Sequence, residues 1–105
     1  MRITVSHNKP KQEVMQAVDR SFDDLFRGTP GIPLQIVNEK RAWNGSTMIF
    51  AFDAKVGILS NPIKGFVEVT DRDLTIDADL GLIEKLFAGR QAQSAIESRI
   101  KGLLR

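Results

Sequence analysis

Between Ser46 and Leu80 apolar residues alternate almost without a break through three successive stretches. Met48, Phe50, Phe52, Ala54, Val56 and Ile58 share one parity, Ile63, Gly65, Val67 and Val69 the next, and Leu74, Ile76, Ala78 and Leu80 the third. A period of two sends successive side chains to opposite faces of a strand. The pattern therefore dictates antiparallel sheet with one dry face and one wet face. It fixes an architecture and exposes no chemistry.

Turn residues set the expected registers. Asn44-Gly45 reads as a two-residue hairpin turn, which pairs Trp43 with Ser46, Arg41 with Met48, Glu39 with Phe50 and Val37 with Phe52. That register sets Glu39 and Arg41 on the aromatic face. Either a β-bulge near Asn38 resets the parity, or the two charges pair at the sheet margin. A turn at Ser60-Asn61 pairs Ile58 with Ile63, Val56 with Gly65, Ala54 with Val67 and Phe52 with Val69. A turn at Asp71-Arg72 pairs Val69 with Leu74, Val67 with Ile76 and Gly65 with Ala78. Both turns place the same residues on the same face.

The flanks are helical, apart from a short first strand at Ile3 and Val5. Asn8 is the expected cap of the first helix and Pro10 suits its first turn. Val14, Val18, Ser21, Phe22 and Leu25 form its apolar stripe, and Gly28 ends it. The segment from Thr29 to Pro33 reads as a rigid turn, and a second strand runs from about Leu34 to Trp43. Leu82, Ile83, Leu86 and Phe87 predict a short amphipathic turn or helix. Ala92, Ala95, Ile96, Ile100, Leu103 and Leu104 predict the face of a final helix, where Glu97 and Lys101 stand four apart. The expected fold is α+β. A four-stranded antiparallel meander and a short N-terminal strand carry two main helices on one face, in the order β-α-β-β-β-β-α.

Composition bounds the function. The 105 residues suit a single domain, residues 1–105, with one core. With no cysteine, disulfides, thiolate metal sites and cysteine nucleophiles are excluded. The formal charge of +2 is too small and too dispersed for a nucleic-acid binder. No apolar run approaches the ~20 residues of a membrane span and none reads as a signal peptide, so a cytoplasmic protein is expected.

Candidate sites are few. His7, the single histidine, lies where the first strand meets the first helix, and no motif supplies the carboxylate and nucleophile a general base needs. Asp73, Asp77 and Asp79 share the outer parity of the last strand, with Asp71 in its turn. They lack the glycine and terminal glutamate of a calcium loop. The register sets Asp79 across from Lys64, an expected surface ion pair. Asn44-Gly45-Ser46 matches a glycosylation sequon, although the hairpin turn already accounts for Asn44 and Gly45. Val56, Ile58 and Leu59 lie at the distal end of a long hairpin. They either pack under Phe87 and the final helix or form an exposed apolar tip for a partner, lipid or hydrophobic polymer. Gly65, between Val56 and Ala78, would leave a small-residue gap. Trp43 is expected at the core margin, with a stacking surface for a ligand as its functional alternative. Ile49, Ala51 and Phe66 on the outer parity supply apolar surface for a homodimer, and the edges at the first and second strands offer another route.

Several short motifs resemble the polyhydroxyalkanoic acid system family, small bacterial proteins encoded near genes of storage-polyester metabolism. They are Trp43-Asn44-Gly45, Met48-Ile49-Phe50, the run from Lys64 to Val69, the run from Leu74 to Gly81, and Ala95 to Ile100. Ile3, Val5 and His7 extend the match to the N-terminus. The segments from Gly28 to Arg41 and from Ala54 to Pro62 are longer than the family pattern. The resemblance implies a storage-polyester context and no catalytic residues. The expectation is a non-enzymatic accessory or binding protein without cofactor or metal, its partner a storage-polyester granule. The alternative is a carrier holding a small hydrophobic ligand between sheet and final helix, as helix-grip folds do, since this element order is similar to a reduced version.

Overall fold

A computed structural model describes residues 1–26, 34–81 and 90–105. The elements run β1 (Arg2–Ser6), α1 (Lys11–Phe26), β2 (Leu34–Asn44), β3 (Thr47–Val56), β4 (Leu59–Val69), β5 (Asp73–Asp79) and α2 (Arg90–Leu103). The strands form one five-stranded antiparallel sheet in the order β1-β5-β4-β3-β2. The α+β class, the four-stranded meander and the two helices are as the sequence predicts. The turn and helix expected over 28–33 and 82–87 lie outside the described residues.

The first strand sits beside β5, so β1 and β2 are the two edges. The chain must cross the whole sheet between them. Four interstrand spacings come to about 19 Å, and a helix of this length spans about 24 Å. Helix α1 thus bridges edge to edge, and α2 packs against α1 and β1. Val14, Val18, Phe22 and Leu25 are buried on α1, and Ile96 and Ile100 on α2. Opposite them lie the inward residues of the sheet, from Ile3 and Val5 through Met48, Phe50, Phe52, Ile63, Val67, Val69, Leu74 and Ile76.

Two of the three expected hairpin registers are corrected. The first hairpin turns on Gly45-Ser46, with Trp43 paired to Met48, Arg41 to Phe50 and Asn44 to Thr47. Gly45 alone takes positive φ there (63°), as a two-residue turn with glycine first requires. The second hairpin turns on Gly57-Ile58 and not on Ser60-Asn61, again with positive φ at glycine (63°). Phe52 therefore pairs with Ile63, Phe50 with Gly65 and Met48 with Val67. The third hairpin keeps its predicted register, with Val69 opposite Leu74 and Gly65 opposite Ala78. Helix α1 starts at Lys11, and the carbonyl of Pro10 accepts the N–H groups of Glu13 (3.0 Å) and Val14 (3.2 Å). Asn8 lies outside the capping position.

The charge conflict on β2 is resolved both ways. Between Val37 (paired with Asp53) and Lys40 (paired with Ala51) two residues of β2 oppose one of β3, and Asn38 takes positive φ (56°). This bulge moves the inward set from Ile36 to Arg41. Beyond it Glu39 Oε1 and Arg41 Nε pair at 3.2 Å. The Arg41 guanidinium also lies 5.4 Å from the Phe22 ring centroid and donates to the Asp19 carbonyl at 2.8 Å.

Gly65 fills no gap. A Cβ there would collide with the carbonyl oxygen of Asp77 and come within 2.8 Å of the Ala78 Cα. The β5 backbone already occupies that space, so the glycine permits close strand approach. Gly65→Ala should lower stability by about 3 kcal/mol through forced displacement of β5. Urea denaturation checks this, and an unchanged midpoint would mean the strands can part freely.

Candidate functional site

The β3–β4 hairpin ends in the most exposed large hydrophobic residues among those described. Ile58 is 102% exposed at the second position of the Gly57-Ile58 turn, and Leu59 is 61% exposed beside it. Val56, paired with Leu59, is half-buried and packs against the core cluster. Lys55 and Ser60 flank the tip in water. With the turn at Gly57-Ile58, both Ile58 and Leu59 stand in water. The tip projects and is uncovered.

Directly beneath it, Asn61 is buried at 4% exposure on the inner face. Its Nδ2 donates to the Leu80 carbonyl at 2.8 Å and to the Pro62 carbonyl at 3.1 Å. It therefore fastens the root of the hairpin to the end of β5. Sequence reasoning missed this role because Asn61 reads as a turn residue. The signal was its odd position, in step with Ile63, Val67 and Val69.

The other candidates do not join the tip. Trp43 lies at the opposite end of β3, beside Met48, roughly 30 Å away along the strand. It is half-buried, and its Nε1 donates to Asp19 Oδ1 at 3.2 Å. With Gln12, Met15, Gln16 and Asp19 it lines a shallow hollow of about 150 Å³. Its indole latches the β2 edge to α1. Gly65 is in mid-sheet, closed off by β5. Val56, Ile58 and Leu59 are thus together, while Trp43 and Gly65 are elsewhere.

His7 is buried, and both ring nitrogens bond to backbone. The Lys9 N–H donates to Nδ1 at 3.2 Å, so that nitrogen carries the lone pair, and Nε2–H donates to the Thr70 carbonyl at 2.8 Å. With its own N–H donating to the Arg72 carbonyl at 2.8 Å, the residue ties the β1–α1 junction to the β4–β5 turn. The carboxylates are likewise engaged locally. Asp77 pairs with Arg2 at 3.4 Å, Asp73 accepts from Ser6 at 3.1 Å, and Asp79 accepts from the Gly81 N–H at 3.1 Å. The expected Lys64–Asp79 ion pair does not form, although the register sets the residues opposite each other. Asp79 turns to Gly81 instead, and an exposed pair gains too little to compete. No cluster of metal-ligating side chains occurs among the described residues.

Hollows bounded by described residues lie on the outer sheet face, between the ends of α1 and α2, and beside Trp43. Between sheet and helices the rings pack directly. Phe22 meets Phe50 edge-on at 4.9 Å and Phe52 at 6.2 Å. No helix among the described residues is long and apolar enough to cross a membrane.

Three substitutions separate latch from site. Trp43→Ala should cost about 2–3 kcal/mol, less than a fully buried ring would, whereas Trp43→Phe should cost about 1 kcal/mol for the lost hydrogen bond. His7→Ala, which orphans the Thr70 carbonyl, should cost about 2 kcal/mol. Denaturant midpoints report all three. A Trp43→Ala protein of full stability that had lost a ligand would instead mark the indole as a binding surface. Comparison of the chain with family models, curated proteins and solved structures returned no match, so its own residues carry the functional reading.

Proposed function

We propose that this chain is a non-catalytic binding protein that attaches to a hydrophobic surface through its β3–β4 tip. The observation that carries the reading is the full exposure of Ile58 beside Leu59 on a hairpin whose root is fastened by Asn61. A soluble domain has no folding reason to hold two large aliphatic side chains in water at the end of a rigid hairpin. His7 and the Asp73, Asp77 and Asp79 carboxylates serve structural bonds, which fits a protein that binds and does not transform.

The family resemblance supplies the polymer class, a polyhydroxyalkanoate storage polyester whose surface is apolar aliphatic ester, and with it a bacterial, cytoplasmic setting. An internal ligand carrier draws less support, because Gly65 abuts the β5 backbone and the inward rings meet each other. Burying two aliphatic side chains is worth about 1.5–3 kcal/mol each, so one tip attaches weakly and reversibly.

Purified protein incubated with native polyester granules and with bare polystyrene beads tests the proposal. The wild-type chain should partition preferentially onto granules, and Ile58→Asp with Leu59→Asp should reduce that partition at least about tenfold without shifting the denaturation midpoint. Equal partition onto granules and beads, or retention by the double variant, would overturn it.

A further inference from the structure

No helix among the described residues lies on the outer face of the sheet. Ala42 on β2, Ile49 and Ala51 on β3, and Pro62 and Phe66 on β4 make an apolar centre there, with Ile49 59% exposed. Two open hollows of about 320 and 260 Å³ adjoin Ala51 on this face. Around the centre the charge is uneven. Strand β5 presents Asp73, Asp77 and Asp79, while β2 presents Lys40. Among the described residues Lys40, Lys64 and Glu68 have no ion-pair partner.

We propose that two copies of this chain pair through these outer faces about a two-fold axis parallel to the strands. One row of the sheet runs Lys40, Ala51, Lys64, Asp79, and the next runs Ala42, Ile49, Phe66, Asp77. Rotation about an axis between β3 and β4 reverses each row. Lys40 of either copy then meets Asp79 of the other, and Ile49 meets Phe66. The alternative in-plane axis, across the strands, lays β5 on β5 and brings its carboxylates together, of which Asp77 alone is ion-paired among the described residues, with Arg2 of β1. Charge therefore selects the axis.

Size and edges agree with this choice. The four strands that overlap about this axis, β2 to β5, cover roughly 600 Å² in projection, which side-chain relief raises towards the about 800 Å² per partner of a stable interface. Edge-to-edge pairing is the poorer route. The β2 edge is kinked by the bulge at Asn38 and carries Glu39, Lys40 and Arg41, features that blunt strand addition.

The axis has a consequence for attachment. Rotation about the strand direction leaves that direction unchanged, so both β3–β4 tips project from the same end of the dimer. Two weak tips then meet one surface together and gain avidity. The pairing itself needs no surface, so it stands or fails separately from the attachment reading.

Sedimentation equilibrium of the full chain in solution tests it, with Lys40→Glu, Asp79→Lys, their combination and Ile49→Glu. Wild type should dimerise, each single variant should weaken dimerisation at least about tenfold, and the charge-swapped double variant should recover it to within about threefold. The chain has no cysteine, so Ser60→Cys accepts a single spin label, and the two labels should give one short distance. A monomer up to about 1 mM, a double variant as weak as the singles, or a label separation near twice the hairpin length would each overturn the proposal.

Discussion

The contact between Phe22 and the rings of β3 is the one on which the remaining packing depends. Helix α1 joins strands at opposite edges, so no turn holds it against the middle of the sheet. What holds it is Phe22, edge-on to Phe50 at 61° and to Phe52 at 76°, with the Arg41 guanidinium laid over its outer side. Such pairs add about 0.5–1.5 kcal/mol to the burial of the rings themselves. Asp19 then fixes the helix's rotation, since its carboxylate accepts from Trp43 and stands 3.7 Å from Arg41. Helix α2, lying on α1 and β1, inherits its position from that contact.

Arg41 shows why a charged residue can belong to an aromatic face at an edge. In mid-sheet its guanidinium would be desolvated without compensation. On β2 it reaches past the ring to water, to Glu39 and to the carbonyl of Asp19, so every direction it points offers a partner. The bulge makes this possible by exchanging the inward parity just before it. The same bulge spoils the outer edge for strand addition, so one local irregularity serves core packing and monodisperse edges together.

Faces were legible in the sequence and registers were not, for a single reason. Binary pattern has period two, and any slip by an even number of residues leaves every side chain on its own face. Gly45-Ser46 in place of Asn44-Gly45, and Gly57-Ile58 in place of Ser60-Asn61, are slips of that kind. Only turn chemistry discriminates among them, and in both hairpins the glycine took the positive φ. The third hairpin read correctly because Thr70 closes it locally, its hydroxyl accepting from Asp73 N–H at 2.9 Å. The bulge was legible because a charge conflict announced it. The tip was legible only in part, since Val56, Ile58 and Leu59 stand out as apolar but their exposure depends on where the turn falls. Asn61 showed only as a polar residue in step with the inward set, and Asp19 not at all, because their partners lie 19 and 24 residues along the chain.

The two sheet faces divide the work. On the inner face almost every side chain is consumed by folding, down to His7 and Asn61, whose polar atoms bond to backbone that would otherwise be orphaned. Whatever the chain binds must therefore be met by what folding leaves over. Among the described residues that remainder is led by the hairpin tip and by an outer face whose apolar centre is bordered by carboxylates on one flank and a lysine on the other. A tip of two aliphatic side chains is too small to hold alone, and a polarised face is best satisfied by its own reversed copy. The weakness of the first and the self-complementarity of the second point the same way, towards attachment by pairs.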